Sequence, residues 1–297
     1  MKNILYLLIA TATWGLNFFL AKVMMESSSA IVAGFWRYVI AVLVLGLLLW
    51  GKLPTWREIR QQSKALILVG VGGIFVFNYC FFVGLEHTSA INAALIMSLN
   101  PALTLILNRI FYKSPISNWH IVGILIALLG VTLLITKGQM GNIGAFKMGS
   151  GDIYLWLANL AFAFYHLGVK QYGSRMQNLQ FTFFITVVCC FCFLLIIQPF
   201  TWSTIWDYPA IFWYAALGMG GPGTALAYFS WNRGVAGMGI GKAAIFMNTV
   251  PLFTSIFAVL FGTTLAYYHL WSGLLILLGL VVIQLQQLQY LPGSKHT

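Results

Sequence analysis

Six side chains set inside apolar runs carry most of the chemistry this sequence offers: Trp14, Asn17, Tyr79, Tyr165, His166 and Trp231. They are indoles, phenols, one amide and one imidazole. A set of this kind binds; it does not cut or transfer. Aromatic walls with a few amides suit a small amphipathic or zwitterionic molecule. Phe18, Asn78, Asn100, Asn159, Tyr228, Asn232, Asn248 and Thr249 extend the set. For any one amide the alternative is a hydrogen bond between helices, worth roughly 0.6 kcal/mol in a membrane. Catalysis needs a nucleophile with its base, paired carboxylates or a metal cluster. No Asp or Glu falls in the middle of an apolar run, and the five His are scattered. His166 is the one deeply placed group that titrates near neutrality, serving either proton coupling or a structural hydrogen bond. Cys189-Cys190-Phe191-Cys192 is too tightly spaced for zinc and has no His or carboxylate nearby. Neither a metal nor a cofactor is expected, and an enzyme is set aside. No glycine-rich phosphate loop ending in Lys-Ser/Thr occurs, which argues against ATP-driven work.

Charges inside the runs are few. Arg37 falls near the outer end of the second run, where it snorkels to headgroups, pairs with Glu26 or attracts an anionic group. Lys22 and Lys170 sit at helix ends and read as interfacial. Glu86-His87 falls in a short outer turn and reads as solvated.

The backbone offers a second kind of signal. Gly70, Gly72 and Gly73, and again Gly218, Gly220, Gly221, Pro222 and Gly223, loosen any helix they occupy. Proline has no amide proton, so a carbonyl one turn earlier loses its partner. In a bilayer such groups must face protein or a wet cavity. The clusters are either hinges or sites of close helix packing, with the hinge favoured for Gly220, Pro222 and Gly223. Pro101 and Pro251 read as kinks that shape the cavity end of their helices.

The elements that position these residues follow from composition. Of 297 residues, 60% are hydrophobic, 16% aromatic and 7% charged. A soluble domain carries about a quarter charged residues, so lipid is the solvent for most of this chain. Ten apolar spans are predicted, at 3–25, 30–50, 65–85, 90–111, 118–136, 152–173, 180–199, 209–232, 239–262 and 268–289. Each is near the roughly 20 residues a helix needs to cross a bilayer. Period-two alternation is absent, which argues against a membrane barrel. The first run is expected to be retained as a helix, since no small-residue cleavage site follows it.

The net charge of +11 belongs to short loops, not to a nucleic-acid surface, and no nucleic-acid partner is expected. With a cytoplasmic N-terminus, the outer side keeps only Lys22, Arg37, Lys137 and Lys147 of the 16 Lys and Arg. Both termini are therefore expected inside.

The chain also resembles itself. Shifted by 150 positions, Ala93-Ala94, Met97, Pro101 and Thr104 fall on Ala243-Ala244, Met247, Pro251 and Thr254. Gly84 falls on Gly234 and Gly123 on Gly273. The expected architecture is an all-α integral membrane protein of two five-helix repeats, residues 1–137 and 152–289. A linker at 138–151 joins them, and a cytoplasmic tail follows at 290–297. An odd number of spans per half makes the repeats inverted, an arrangement suited to opening a central site to each side in turn.

Trp14-Gly15, Arg37-Tyr38, the series Gly84…Ala93-Ala94…Pro101…Gly123…Gly130 and its echo Gly234…Ala243-Ala244…Pro251…Gly273…Gly279 resemble the drug/metabolite transporter superfamily, of the EamA type. The resemblance covers Leu5 to Leu288. It implies an inner-membrane carrier, mostly exporting amino acids and related metabolites, with importers of nucleotide-like solutes and multidrug exporters as alternatives. It also implies a cavity lined mainly by spans one, three, four, six, eight and nine. The partners expected are a small-molecule solute and the lipid bilayer, around a monomer or homodimer. One departure stands out: where many members carry a Glu before the Gly that opens spans five and ten, this chain has Ser114 and Thr264.

Overall fold

The computed structural model describes residues 2–113, 116–139, 149–197, 206–238 and 245–289. Ser114, Lys147, Lys242, Ala243-Ala244, most of the 138–151 linker and the 290–297 tail lie outside the described residues, as do the side chains of Lys170 and Asn232. Among the described residues all regular structure is helical. Five helical stretches are long and apolar enough to cross a membrane: Lys2–Met25, Ala30–Leu48, Trp56–Glu86, Ala90–Tyr112 and Asn178–Ile196. Shorter apolar helices cover Asn118–Leu134, Phe246–Leu260 and Tyr267–Ile283.

In chain order the helices are α1 (Lys2–Met25), α2 (Ala30–Leu48), α3 (Trp56–Ile67), α4 (Val76–Glu86), α5 (Ala90–Met97), α6 (Asn100–Tyr112), α7 (Asn118–Ile135), α8 (Ser150–Tyr172), α9 (Asn178–Ile196), α10 (Ala210–Gly220), α11 (Ala227–Met238), α12 (Val250–Leu260) and α13 (Tyr267–Gln289). Several breaks between them are internal to an apolar run, and they fall where the sequence places glycine or proline. Between α3 and α4 the chain forms a π-helical segment, Leu68–Phe75, that holds Gly70, Gly72 and Gly73. Between α10 and α11 a second π segment, Gly221–Leu226, holds Pro222 and Gly223. Widened turns of this kind are uncommon and gather at functional sites. Pro101 and Pro251 do not kink helices from within. Each sits in the first turn of a helix, α6 and α12, where the missing amide proton costs nothing. The interruption lies just before them, at Ser98-Leu99 and at the 3₁₀ turn Ile245–Thr249.

The stretch Trp56–Glu86 runs 31 residues, about 46 Å of helix, against a hydrocarbon core of about 30 Å. Its first turns, α3, are polar and strongly amphipathic and must emerge from the hydrocarbon. The predicted spans end at 50 and resume at 65, because Arg57, Glu58, Arg60 and Lys64 interrupt the apolar pattern. Thr55 caps it: its hydroxyl accepts from the Glu58 amide, and the Glu58 carboxylate accepts from the Thr55 amide at 2.7 Å. At the other end, Glu86 is exposed but not idle. Its carboxylate accepts from the amide of Ala30 at 2.8 Å and so holds the N-terminus of α2.

The most extensive helix pairs join the first half of the chain to the second: α7 with α13, α4 with α8, α1 with α11, α2 with α9 and α1 with α12. Small residues permit the closest approaches, as expected where lipid removes the hydrophobic drive between helices. A Cβ on Gly123 would meet the carbonyl oxygen of Gly279 at 2.6 Å, and one on Gly84 would meet that of Gly151 at 2.9 Å. Gly15 admits α12, whose Phe253 Cβ would lie 2.8 Å from an added Cβ.

Candidate functional site

Where α1, α2, α4, α5, α6, α8, α11 and α12 converge, they leave a cavity of about 90 Å³. In the same measure a single water needs about 10–15 Å³, so the space takes several waters or part of a small solute. Its walls are Trp14, Phe18, Phe77, Phe81 and Phe162, with Met97, Met247 and Val250. Asn17, Arg37, Ser98, Asn100 and Tyr228 supply the polar surface.

Arg37 is the decisive member. It does not snorkel: the side chain is 6% exposed and points inward among buried residues. Its Nη1 donates to Asn78 Oδ1 at 2.9 Å and its Nε to Thr224 Oγ1 at 3.3 Å. Glu26 is exposed at the helix end and does not pair with it. Both of its partners also hold the backbone. Asn78 Nδ2 donates to the carbonyl of Ile74, inside the first π segment, at 2.8 Å. Thr224 Oγ1 donates to the carbonyl of Met219 at 2.8 Å, five residues back across the second. One guanidinium on α2 is thus tied to both interrupted helices.

Asn17 completes the second tie. Its Nδ2 donates to the carbonyl of Gly223 at 2.9 Å. A Cβ at Gly223 would collide with the Asn17 amide, so the contact demands glycine. Gly220 is closed in the same way by Ile40 at 2.6 Å, and Gly73 by Tyr165 at 2.9 Å. Gly72 is exposed, with open space where a side chain would be, so packing does not explain it. Pro222 is exposed too.

The six side chains singled out above separate into groups. Trp14 and Asn17 line the cavity. Trp231 stands behind Trp14, with ring centroids 5.3 Å apart. Tyr165 and His166 stand behind Phe162, at 5.4 Å and 4.7 Å, and Tyr165 stacks on it almost parallel. Tyr79 is half-buried on α4, against Phe75 at 6.1 Å, and is not among the cavity residues. Pro101 lines the cavity, whereas Pro251 is buried behind it. Asn100, Asn159 and Ile96 form a closed knot at the α5–α6 break. Asn100 Nδ2 donates to Asn159 Oδ1, and Asn159 Nδ2 to the Ile96 carbonyl, each at 2.9 Å.

Residues the sequence did not single out are Thr224 and the phenylalanines 77, 81 and 162. Thr224 directly follows Gly-Pro-Gly, and a hydroxyl there can satisfy a carbonyl that the break releases. The phenylalanines carry no such mark. Among the described residues no group of His, Cys, Asp or Glu is placed to hold a metal ion. The arrangement can bind and can move; it holds no nucleophile–base pair to do covalent chemistry.

Comparison with known proteins agrees with this. The model of the EamA-like transporter family matches residues 1–136 and 149–285. The Bacillus subtilis protein named uncharacterized transporter YyaM is 32% identical over 273 residues, covering 90% of this chain and 88% of its own. A Pseudomonas aeruginosa protein named probable biotin transporter is 25% identical over 254 residues, covering 82% and 83%. A solved crystal structure superposes with a TM-score of 0.66 over 97% of this chain and 98% of its own; at 17% identity it speaks for the fold alone. With apolar helices of spanning length and a family match over both halves, the chain is a multi-pass membrane protein and a transporter, and it belongs to the EamA-like transporter family.

Proposed function

We propose that the chain is a secondary carrier of the cell inner membrane that exports small metabolites, amino acids or related amphipathic solutes, by alternating access. The observation that carries this is the pair of π segments, Leu68–Phe75 and Gly221–Leu226, both tied to Arg37 beside one cavity. A widened turn stores an alternative hydrogen-bond register, so the helix can tilt there without leaving carbonyls bare. One segment lies in each half of the sequence, and the principal helix pairs join the two halves. Ten spans in two inverted five-helix repeats, with both termini inside, fit that pairing. An exchange of shapes between the halves would then open the cavity to one face and close it to the other. Trp14, Asn17, Tyr79, Tyr165, His166 and Trp231 remain the proposed solute-handling set, with Asn17 acting through Gly223.

The test is solute flux in liposomes that hold the purified full-length chain, loaded in turn with amino acids, their relatives and biotin, the last taken from the name of one relative. Saturable efflux, accelerated by the same solute outside, is the expected result. Flux no greater than in empty liposomes for every solute, with and without a proton gradient, would count against the carrier.

A further inference from the structure

We infer that Arg37 seats the carboxylate of the transported solute, so that the cavity takes organic carboxylates with an apolar or aromatic body and rejects cations of the same shape. This rests on the transport reading only in taking the cavity as the solute's seat.

The charge balance leads to it. Arg37 is 6% exposed and lines the cavity. A guanidinium stays ionised under all ordinary conditions, and a charge held in a membrane protein's interior is costly unless something offsets it. Among the described residues no carboxylate does; the Tyr38 ring, its centroid 5.6 Å from the guanidinium carbon, offsets the charge only in part. The guanidinium's two hydrogen-bond acceptors are a neutral amide and a neutral hydroxyl. The chain has five acids, and none is buried: Glu26, Glu58, Glu86 and Asp207 are exposed, and Asp152 is half-buried at the start of α8.

Geometry narrows the class of anion. The guanidinium has five N–H donors in a planar fork. Asn78 and Thr224 take two of them, on Nη1 and Nε. They fix the fork's orientation and leave further donors without an acceptor among the described residues. Such a fork matches a carboxylate with two parallel hydrogen bonds. The rest of the wall is aromatic, from Trp14, Phe18, Phe77, Phe81 and Phe162. A solute that fits both parts has one carboxylate and a flat apolar body. A lone ammonium would meet a buried cation and no counter-charge.

Asn78 and Thr224 give this seat a consequence. Each holds a backbone carbonyl at a π segment, at Ile74 and at Met219. A carboxylate on the remaining donors is held by the same guanidinium that Asn78 and Thr224 orient, and so is linked to both interrupted helices from one point.

The experiment uses one phenyl body with three charge patterns: phenylacetate, phenylalanine and phenethylamine. Binding to the purified full-length chain is measured by calorimetry. Phenylacetate is expected to bind about tenfold or more tighter than phenethylamine, with phenylalanine between, since only the carboxylates gain charge-assisted bonds to the fork. Arg37→Gln is expected to remove that preference. Arg37→Lys keeps the buried charge and is expected to keep the order with weaker phenylacetate binding; it serves where Arg37→Gln does not fold. The inference is overturned if phenylacetate does not bind, if phenethylamine binds as tightly, or if folded Arg37→Gln keeps the preference. Flux in liposomes separates this from the carrier reading. Phenylacetate that binds through Arg37 but is not carried supports the seat and contradicts transport by it. Equal carriage of phenethylamine and phenylacetate keeps transport and overturns the seat.

Discussion

The side-chain amide of Asn17 on α1 donates to the carbonyl of Gly223 at 2.9 Å, and no side chain fits between them. This contact joins the first helix to the second π segment across 206 residues of sequence. Gly223→Ala is expected to destabilise the protein by about 1–3 kcal/mol, the usual range for overpacking. Asn17→Ala leaves a buried carbonyl unpaired, at about 1–3 kcal/mol. Because the first change removes space that the second restores, the double variant should cost less than the two single costs together. Thermal unfolding of the four proteins in one detergent checks this; strict additivity would mean that the two residues do not touch in the folded state.

Pro222 separates motion from stability. It is exposed, so Pro222→Ala removes little packing, and it returns an amide proton to the break. The helix can then close toward a regular ladder. Transport should fall several-fold while the melting temperature stays level or rises. A variant that transports at the wild-type rate would remove the second π segment from the moving parts.

Trp231 backs Trp14 at 5.3 Å and is half-buried. Trp231→Ala should abolish transport through loss of Trp14's position, while membrane insertion and monodispersity are kept. Trp231→Phe, which keeps a ring behind Trp14, should restore part of the flux. Full activity of Trp231→Ala would take the residue out of the solute-handling set.

The seam of α7 and α13 belongs to a different class. A Cβ on Gly123 would meet the Gly279 carbonyl oxygen at 2.6 Å. Gly123→Ala is therefore expected to cost about 1–3 kcal/mol of stability and to leave the relative uptake of different solutes unchanged. A shift in solute preference would show that this seam reaches the cavity.

The cap of α3 responds to pH. The Glu58 carboxyl is held below its usual value because it accepts first from the Thr55 amide and then from the Thr55 hydroxyl. A lowered folded pKa means that the cap's contribution is complete above the unfolded value of about 4.3 and fades as pH falls through the folded one. Protection of the first amides of α3, exchange taken relative to the intrinsic rate at each pH, should fall on acidification below about pH 4.3. In Glu58→Gln that pH response should be absent.

Some of this was legible in the sequence and some was not, for reasons that can be named. Glycine and proline mark helix breaks by their own covalent structure, so both π segments were visible at Gly70–Gly73 and Gly220–Gly223. Trp14 and Asn17 stood out because a membrane run tolerates few such side chains. For Arg37 the sequence leaves snorkelling, pairing with Glu26 and attraction of an anionic group open, and the buried side chain removes the first two. What fixes its place is Asn78, 41 positions away, and Thr224, 187 positions away, and neither proximity leaves a trace in local pattern. The phenylalanine walls were invisible because Phe77, Phe81 and Phe162 look like any lipid-facing Phe until the helices are assembled. The α3 extension was missed because its charged face hides a helix that its Thr55–Glu58 cap in fact announces.

The most direct test of the carrier is which face of the membrane reaches the cavity. Met97 lines it and is half-buried. In a background with Cys80, Cys189, Cys190 and Cys192 replaced by Ala or Ser, Met97→Cys can be labelled with an impermeant maleimide from either side of sealed, oriented vesicles. The account predicts labelling from both faces over time, with a solute gradient raising the rate at one face and lowering it at the other. Labelling confined to one face under every gradient, or a gradient that raises or lowers both rates together, would contradict alternating access.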